Sequence, residues 1–303
     1  MMVALLSAPT ISEAWLAAVR AAVHAPGGRS LHSVVSVAHP GPPEPELVRV
    51  IDDLLDDRRQ HSVSTVASTL FPSNLYADPG VHWHPDMSRV DQQRLDLAAE
   101  DLYETYCTAL PVLLGADGNH HGTYFGRLVS WPGKNGDGYN QLAVRIRQLR
   151  AQRRKGNAVT NAADIVVDGP AELATEVANG KDATPGTLQI YHSHDERTRA
   201  FPCLVHIDIS VLDNQLSVLA VYRHWHLITK ALGNLIGLSR LQYFLAQQTG
   251  YDVGELVVHG TVVAAQFGQF GMGRVRRLAD EAAALLSSAE VPADPEPSVS
   301  GVP

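Results

Sequence analysis

Residues 203–266 read CLVHIDISVLDNQLSVLAVYRHWHLITKALGNLIGLSRLQYFLAQQTGYDVGELVVHGTVVAAQ, and this stretch has the most regular pattern in the chain. Apolar residues alternate with other residues along Cys203–Ser210 and again along Leu216–Tyr222. Leu212-Asp213-Asn214 separates the two segments and supplies turn-forming residues. The pattern therefore predicts two antiparallel strands joined as a β-hairpin.

The second half of the same stretch predicts a helix followed by a strand. Trp225–Thr249 carries apolar residues at helical spacing and stops at Gly250, a residue that suits the position just after a helix. Glu255–Phe267 is apolar and β-branched, as in a buried strand. Met272–Ser287 is rich in Ala and Leu and predicts a final helix.

Towards the N-terminus, the pattern alternates between helical and extended segments. Helical spacing predicts helices at Ile11–His24, Pro45–Arg58, Ser88–Leu114 and Asn140–Lys155. Pro111 leaves open whether Ser88–Leu114 is one helix or two. Extended segments are predicted at Ser33–His39, in a β-rich patch at His61–Phe71, and in a short strand that reaches Trp131-Pro132.

These elements predict one large α+β domain with a tail. We divide the chain into an N-terminal helix and strand extension at 1–60, the main domain at 61–288, and a disordered tail at 289–303 rich in Pro, Ser and Glu. Residues 156–200 lack apolar periodicity and are predicted to be irregular.

Composition argues against several classes of partner. The net charge is −8, with 24 Lys and Arg against 32 Asp and Glu, so the chain lacks the general cationic field that nucleic acids and anionic membranes attract. The apolar start has no basic segment before it, and no run of 18 apolar residues follows. Two cysteines are too few for a disulfide scaffold. We therefore expect a cytoplasmic protein that binds neither nucleic acid nor membrane.

Three residues of the patterned stretch stand at a distinctive spacing. Cys203 opens the first strand after Pro202, Arg223 follows it by 20 residues, and Asn234 follows the arginine by 11 residues. Ala246-Gln247-Gln248 and Val253-Gly254-Glu255 come further on. In this spacing the stretch resembles the thymidylate synthase and dCMP hydroxymethylase family, without a gap from Cys203 to Gln266.

The resemblance implies a fold, a reaction and a partner. The fold would be the three-layer thymidylate synthase-like fold with a large mixed β-sheet. The reaction would add a methyl or hydroxymethyl group to C5 of a dUMP-like pyrimidine nucleotide, with 5,10-methylenetetrahydrofolate as the carbon donor. The protein would be a homodimer, because the family packs two sheets back to back.

The resemblance also assigns roles to particular residues. Cys203 would be the nucleophile, Arg223 would bind phosphate and assist the thiol, and Asn234 would read the base. Weaker upstream matches at Phe125-Gly126-Arg127, Trp131-Pro132 and Asn140-Gln141-Leu142 have the family's order. Further substrate-binding candidates are taken from positions that match the family's pocket: Arg59 or its neighbour Arg58, Trp131, His226 and Gln266.

The chemistry of these residue types suits that reaction. Pyrimidine C5 is a poor nucleophile until a group adds to C6, and a thiolate adds readily and leaves again. A neighbouring guanidinium lowers the pKa of a thiol and can also grip a phosphate with two hydrogen bonds. The carboxamide of Asn234 can accept from N3 and donate to O4 of uracil, whereas family members that act on cytosine tend to carry aspartate there.

Several positions depart from the family and keep a second hypothesis open. Ala264 and Gln266 replace a pair that holds the ribose hydroxyl, His226 replaces an aspartate that touches the pterin, and Phe125 replaces a catalytic tyrosine. The general-base glutamate has no clear counterpart, and Glu100 and Glu104 are candidates only by their place on the preceding helix. The alternative is an inactive homologue that binds a nucleotide or serves as a dimeric scaffold.

Three histidine-containing segments are candidates for metal ligands. They are His82-Trp83-His84 with Asp86, His120-His121, and His192 with His194. None combines with cysteines at zinc-finger spacing, so we predict surface or loop histidines and no metal.

Overall fold

A mixed β-sheet organises the fold. The computed structural model describes residues 4–116, 119, 122–131, 138–155, 188–189 and 202–289. Within this part of the chain the strands are β1 (Ala4–Ala8), β2 (Arg29–Val37), β3 (Leu188–Gln189), β4 (Leu204–Leu212), β5 (Gln215–His226) and β6 (Asp252–Ala264). They form one six-stranded sheet in the order β1-β2-β6-β5-β4-β3.

Helices cover this sheet and supply most of the remaining core. They are α1 (Ile11–His24), α2 (Pro45–Asp56), α3 (Val63–Ser68), α4 (Arg89–Leu114), α5 (Tyr124–Val129), α6 (Gln141–Lys155), α7 (Leu232–Thr249), α8 (Phe267–Phe270) and α9 (Met272–Ala289). Helices α1 and α7 pack directly on the strands. The fold is therefore α+β with a large mixed sheet, as the sequence predicts.

Strand directions place the start of β4 beside the end of β5. Strands β4 and β5 are antiparallel, β5 and β6 are parallel, β6 and β2 are antiparallel, and β2 and β1 are parallel. The hairpin turn at Asp213 and Asn214 uses two residues with positive φ, as a tight hairpin requires. The predicted hairpin and the predicted strand before α8 are confirmed.

The first strands and helix belong to the same sheet and core as the patterned stretch. β2 pairs with β6 along most of its length, and Trp15 and Val19 of α1 are fully buried. The division at residue 60 remains a prediction. Ala289, the first residue of the proposed tail, is the last residue of α9; the rest of the tail and most of the irregular segment 156–200 lie outside the described residues.

Two sequence predictions are wrong. The β-rich patch at 61–71 contains helix α3, because the Ser62 hydroxyl caps its first turn by accepting from the Thr65 amide, and Val63 and Val66 pack into the core. The strand predicted before Trp131 is helix α5, which the Thr123 hydroxyl caps by accepting from the Gly126 amide. In both places capping and burial outweigh the β preference of the residues.

Two predictions about longer helices are refined. Ser88–Leu114 forms one helix with Pro111 inside its last turn, so the chain does not divide there. The helix predicted from Trp225 instead begins at Leu232, because β5 continues to His226 and a single π-helical turn, Leu227–Ala231, connects the two. That turn becomes important at the candidate site.

Two glycines let α3 lie against α7. A Cβ at Gly233 would come within 2.6 Å of the Val66 Cβ, and one at Gly237 within 2.6 Å of the Ala67 carbonyl oxygen. Both distances are shorter than real side-chain contacts, so only glycine permits this approach. The close packing places α3 next to the start of α7 and closes one side of a cavity.

Arg150 links α6 to α4 and α7, and its loss is expected to destabilise the fold. Its guanidinium donates to Asp96 Oδ1 at 2.6 Å, to the Gln248 carbonyl at 2.6 Å and to Gln248 Oε1 at 2.8 Å. Because Arg150→Met leaves these acceptors unpaired, we expect the free energy of unfolding to fall by about 2–4 kcal/mol in urea titrations.

The exposed pair Arg49–Asp53 provides the control for that measurement. Arg49→Met should change the free energy of unfolding by less than about 1 kcal/mol, since exposed ion pairs contribute little. Equal effects of the two substitutions would show that the Arg150 network does not hold the three helices together.

Candidate active site

A cavity of about 270 Å³ lies where β4 begins and β5 ends. Helices α3 and α5 form one wall, and the Phe125 amide donates to the Thr69 carbonyl at 2.8 Å to tie the two together. The opposite wall comes from β5, the π-helical turn and the start of α7. Polar side chains in its lining include those of Tyr124, Cys203, Tyr222, His224, His226, Lys230 and Asn234.

Cys203 is the residue before β4 and is half-buried. Its carbonyl accepts a hydrogen bond from the Arg223 amide at 2.8 Å, which holds it against β5. Burial raises the pKa of the Cys203 thiol, while the positive charges of Lys230 and then of Arg223 act in the opposite direction. A free thiol therefore lies inside the cavity and within the field of two cations.

Two stacked imidazoles form part of the cavity wall. His224 and His226 alternate along β5 with their ring centroids 4.4 Å apart and their planes 18° apart. Burial lowers the pKa of both rings, that of His226 to about 4, so both are neutral near pH 7. His224 Nε2, His226 Nδ1 and the Tyr222 hydroxyl are buried and have no hydrogen-bond partner among the described residues. Buried polar atoms of this kind are normally satisfied by water or by a ligand.

Lys230 reaches the cavity from the π-helical turn. Turns of this type are rare and are found frequently at functional sites. This one is held from both sides: the Trp15 indole donates to the Leu227 carbonyl at 2.8 Å, and Gln266 Oε1 accepts from the Ile228 and Thr229 amides at 3.1 and 3.0 Å. Burial lowers the pKa of the Lys230 ammonium, and the Cys203 thiolate acts in the opposite direction.

Asn234 lies in the first turn of α7 and is buried against the cavity. Three residues that the sequence analysis names as site candidates, Cys203, His226 and Asn234, line this one cavity. Their assigned roles stay predictions, because a shared cavity shows proximity and not chemistry.

The other predicted site residues lie elsewhere. Arg223 is exposed on the side of β5 away from the imidazoles, and its charge reaches the site only through its proximity to Cys203. Arg59 is exposed in the turn after α2, with a positive φ of 51°. Trp131 pairs with Tyr139 through backbone hydrogen bonds, and Gln266 binds the backbone of the π-helical turn. None of these four side chains lines the cavity.

The candidate general bases also lie outside the cavity. Glu100 and Glu104 are exposed on α4. No carboxylate lines the cavity among the described residues, whereas Arg127 and Lys230 do. The site is therefore suited to an anionic ligand.

One similar solved structure is that of a thymidylate synthase. It is the thermostable thymidylate synthase A from Bacillus subtilis, with a TM-score of 0.47 and 11% sequence identity over 89% of this chain and 84% of that chain. No protein-family model matches this chain. No curated protein sequence matches it either.

Sequence patterns overlooked several residues of the cavity. Lys230 is the one charged residue between His226 and Arg240, and a lone charge in an apolar run was the available signal. Tyr124 directly precedes Phe125, which is fully buried in the core, so the cavity hydroxyl comes from the position before the one that family spacing indicates. Burial raises the pKa of Tyr124 to about 12.

Metal and membrane hypotheses find no support in the described residues. They contain no group of three or more His, Cys, Asp or Glu side chains placed to hold a metal ion. His84 is exposed and lies 3.9 Å from Asp86, while His120, His121, His192 and His194 are outside the described residues. Among the helices that the structure describes, none has the length and apolarity needed to cross a membrane.

The low pKa of His226 makes a testable contribution to pH-dependent stability. Burial is the main cause, and the nearby charges of His224, Lys230 and Arg29 add to it. The folded chain binds this proton only near pH 4 and the unfolded chain already near pH 6.5, so the free energy of unfolding falls as pH drops through this interval. We expect His226→Gln to flatten the fall, measured as urea midpoints between about pH 4 and 7.

The exposed His82 provides the matched control, because His82→Gln removes an imidazole from outside the cavity. That variant should keep the slope of the parent protein. If His226→Gln also keeps it, the imidazole of His226 is not held neutral by the cavity.

Proposed function

We propose that this protein transfers a one-carbon unit, methyl or hydroxymethyl, to C5 of a pyrimidine nucleotide through a Cys203 thiolate adduct at C6. One observation carries the proposal: Cys203, His226 and Asn234, which are separate in the sequence, line one cavity with two cations and no carboxylate among its described residues. The gapless resemblance from Cys203 to Gln266 supports the same family and its thymidylate synthase-like fold.

Each wall of the cavity has a role in this proposal. The thiolate of Cys203 adds to C6, which makes C5 nucleophilic. The carboxamide of Asn234 pairs with N3 and O4 of a uracil ring. The neutral rings of His224 and His226 offer an aromatic surface and two unpartnered nitrogens. Lys230, which lines the cavity, provides positive charge for the phosphate and for the electron-rich adduct, and the charge of Arg223 acts on the Cys203 thiol.

We assign 5,10-methylenetetrahydrofolate as the carbon donor, and this assignment rests on the resemblance alone. The cavity of about 270 Å³ has room for a pyrimidine ring with its sugar. His226 also stands where the family has its pterin-binding aspartate. The described lining residues thus offer no carboxylate to hold a pterin, whereas addition of the thiolate and exchange at C5 need only the nucleotide.

The test of the full function is product formation. The protein is incubated with methylenetetrahydrofolate and each of dUMP, UMP, dCMP and CMP, and the nucleotides are examined by mass spectrometry. A methyl or hydroxymethyl group on one of them supports one-carbon transfer. Binding without any product would favour the alternative, an inactive homologue that binds a nucleotide or acts as a scaffold.

A homodimer in the cytoplasm completes the proposal. The strand face opposite α7 carries half-buried apolar side chains, among them Leu219, Val221 and Val257, which a second sheet could cover. We expect light scattering after size-exclusion chromatography to give about twice the 32.7 kDa chain mass. Val257→Lys should reduce the mass to that of one chain, because it places a charge in the covered face. A single-chain mass for the unsubstituted protein at micromolar concentration would contradict the dimer.

A further inference from the structure

Lys230 shares the cavity with Cys203, and several buried interactions hold the turn that carries it. The π-helical turn inserts it into the cavity, the Trp15 indole holds one end of that turn, and Gln266 holds two of its amides. Gln266 itself adopts a left-handed backbone conformation with a φ of 56°, which is unfavourable for a residue other than glycine. The turn that carries Lys230 is therefore held by a buried indole hydrogen bond and by Gln266, whose backbone conformation is strained.

Among the described residues, Cys203 is the group whose negative charge favours the ammonium form of Lys230. Lys230 forms no ion pair with a carboxylate among the described residues. The titratable or charged groups around the thiol and the amine are Tyr124 and Arg127 of α5 and Tyr222, Arg223, His224 and His226 of β5. The two imidazoles are neutral near pH 7, and burial raises the pKa of both phenols, so none of these groups is an anion that could hold the ammonium.

We propose that Lys230 is a second catalytic group of this cavity, which takes the proton of the Cys203 thiol and returns it to C5 of the pyrimidine. This inference rests on the proposed function. The step is an addition across C5=C6. The S–H bond breaks and its proton goes to the neutral amine, sulfur bonds to C6, and the π electrons move to the C4 carbonyl oxygen. The ammonium then protonates C5, and reversal of the sequence exchanges the C5 hydrogen with solvent.

Burial brings the two proton affinities towards each other. It raises the pKa of the Cys203 thiol and lowers that of the Lys230 ammonium, which in free side chains is the higher of the two. Transfer between groups of similar pKa has a small free-energy cost, as general acid and base catalysis requires. The described residues of the cavity include no carboxylate that could act as a general base. The Cys203–Lys230 pair can move the proton instead.

Three variants in a Cys107→Ser background, where Cys203 is the one remaining thiol, separate charge from proton transfer. The first measurement is the pH dependence of Cys203 alkylation by iodoacetamide, followed by mass spectrometry, which needs no nucleotide. We expect Lys230→Met to slow alkylation about tenfold near pH 7 and not at high pH, because a neighbouring cation lowers a thiol pKa by about one unit or more. Lys230→Arg keeps a charge and should retain the parent profile.

Gln266 is a positioning residue in this scheme and provides the third variant. Gln266→Leu removes the acceptor for the Ile228 and Thr229 amides and leaves every titratable group in place. It should move the alkylation profile part of the way towards that of Lys230→Met. Thermal unfolding of each variant identifies any that fails to fold, and Gln266→Leu then tests the pair without a change at Lys230.

Exchange of the C5 hydrogen is the second measurement. Lys230→Met and Lys230→Arg should both lose exchange, because a guanidinium does not release its proton. An unchanged alkylation profile in both Lys230→Met and Gln266→Leu would overturn the pairing. A shifted profile with unchanged exchange would overturn the catalytic role. A shifted profile in a protein that exchanges no pyrimidine would support Lys230 as the base for this thiol and reject the pyrimidine as its substrate.

Discussion

Cys203→Ser is expected to reduce exchange of the C5 hydrogen of dUMP by at least about 10³-fold, to the level of the solution without protein. The substitution replaces one atom and keeps the hydrogen-bonding backbone at the start of β4. A serine hydroxyl does not ionise at the pH values at which a thiol does, so the attacking anion is lost. The measurement is the decay of the H5 proton signal in deuterated water.

Cys107 supplies the matched control for that result. It is the other cysteine, half-buried on α4 and packed against the core, with no place in the cavity wall. Cys107→Ser should leave the exchange rate within about twofold of the parent, and both variants should unfold at similar temperatures. Equal losses in the two variants would remove Cys203 from the role of nucleophile.

Asn234→Ala is expected to weaken the binding of a uracil nucleotide by about 100-fold. Two hydrogen bonds to the base edge, each contributing about 1–1.5 kcal/mol, account for that factor. Asn234 is 3% exposed, so water cannot easily replace its carboxamide. Calorimetric titration with dUMP and UMP measures the loss, and Asn234→Asp should shift the preference towards dCMP or CMP.

Tyr243 is the control on the same helix. It is exposed, and it does not line the cavity. Tyr243→Ala should leave all nucleotide affinities unchanged, which separates base recognition from a general effect on α7. If Asn234→Ala binds uracil nucleotides as tightly as the parent does, then another group reads the base.

The spacing of apolar residues predicted most of the fold, because it indicates which face of a helix or strand is buried. The hairpin around Asp213 and Asn214 and the helix Ile11–His24 follow from residue spacing and turn-forming residues alone. Helices α3 and α5 did not, because each has only six residues and depends on a capping hydroxyl and on burial against other elements. A six-residue segment has too few turns for its spacing to outweigh β-branched composition.

The candidate site was predicted less completely, for a related reason. Spacing aligned Cys203, Arg223 and Asn234, but it could not show that Cys203 and Asn234 line one cavity while the exposed Arg223 does not. Gln266 was expected to bind substrate and instead binds the backbone next to Lys230. The π-helical turn adds one residue per turn to helical counting, so the pattern that predicted a helix from Trp225 concealed where Lys230 lies.

Tritium release from C5-labelled dUMP, UMP, dCMP and CMP tests the central claim most directly, because it reports addition of the thiolate even when later steps fail. The unsubstituted protein is measured with and without methylenetetrahydrofolate. We expect release from a uracil nucleotide in the absence of the folate. Binding of these nucleotides with no release from any of the four, in either condition, would contradict the Cys203 adduct and leave a nucleotide-binding or scaffold protein.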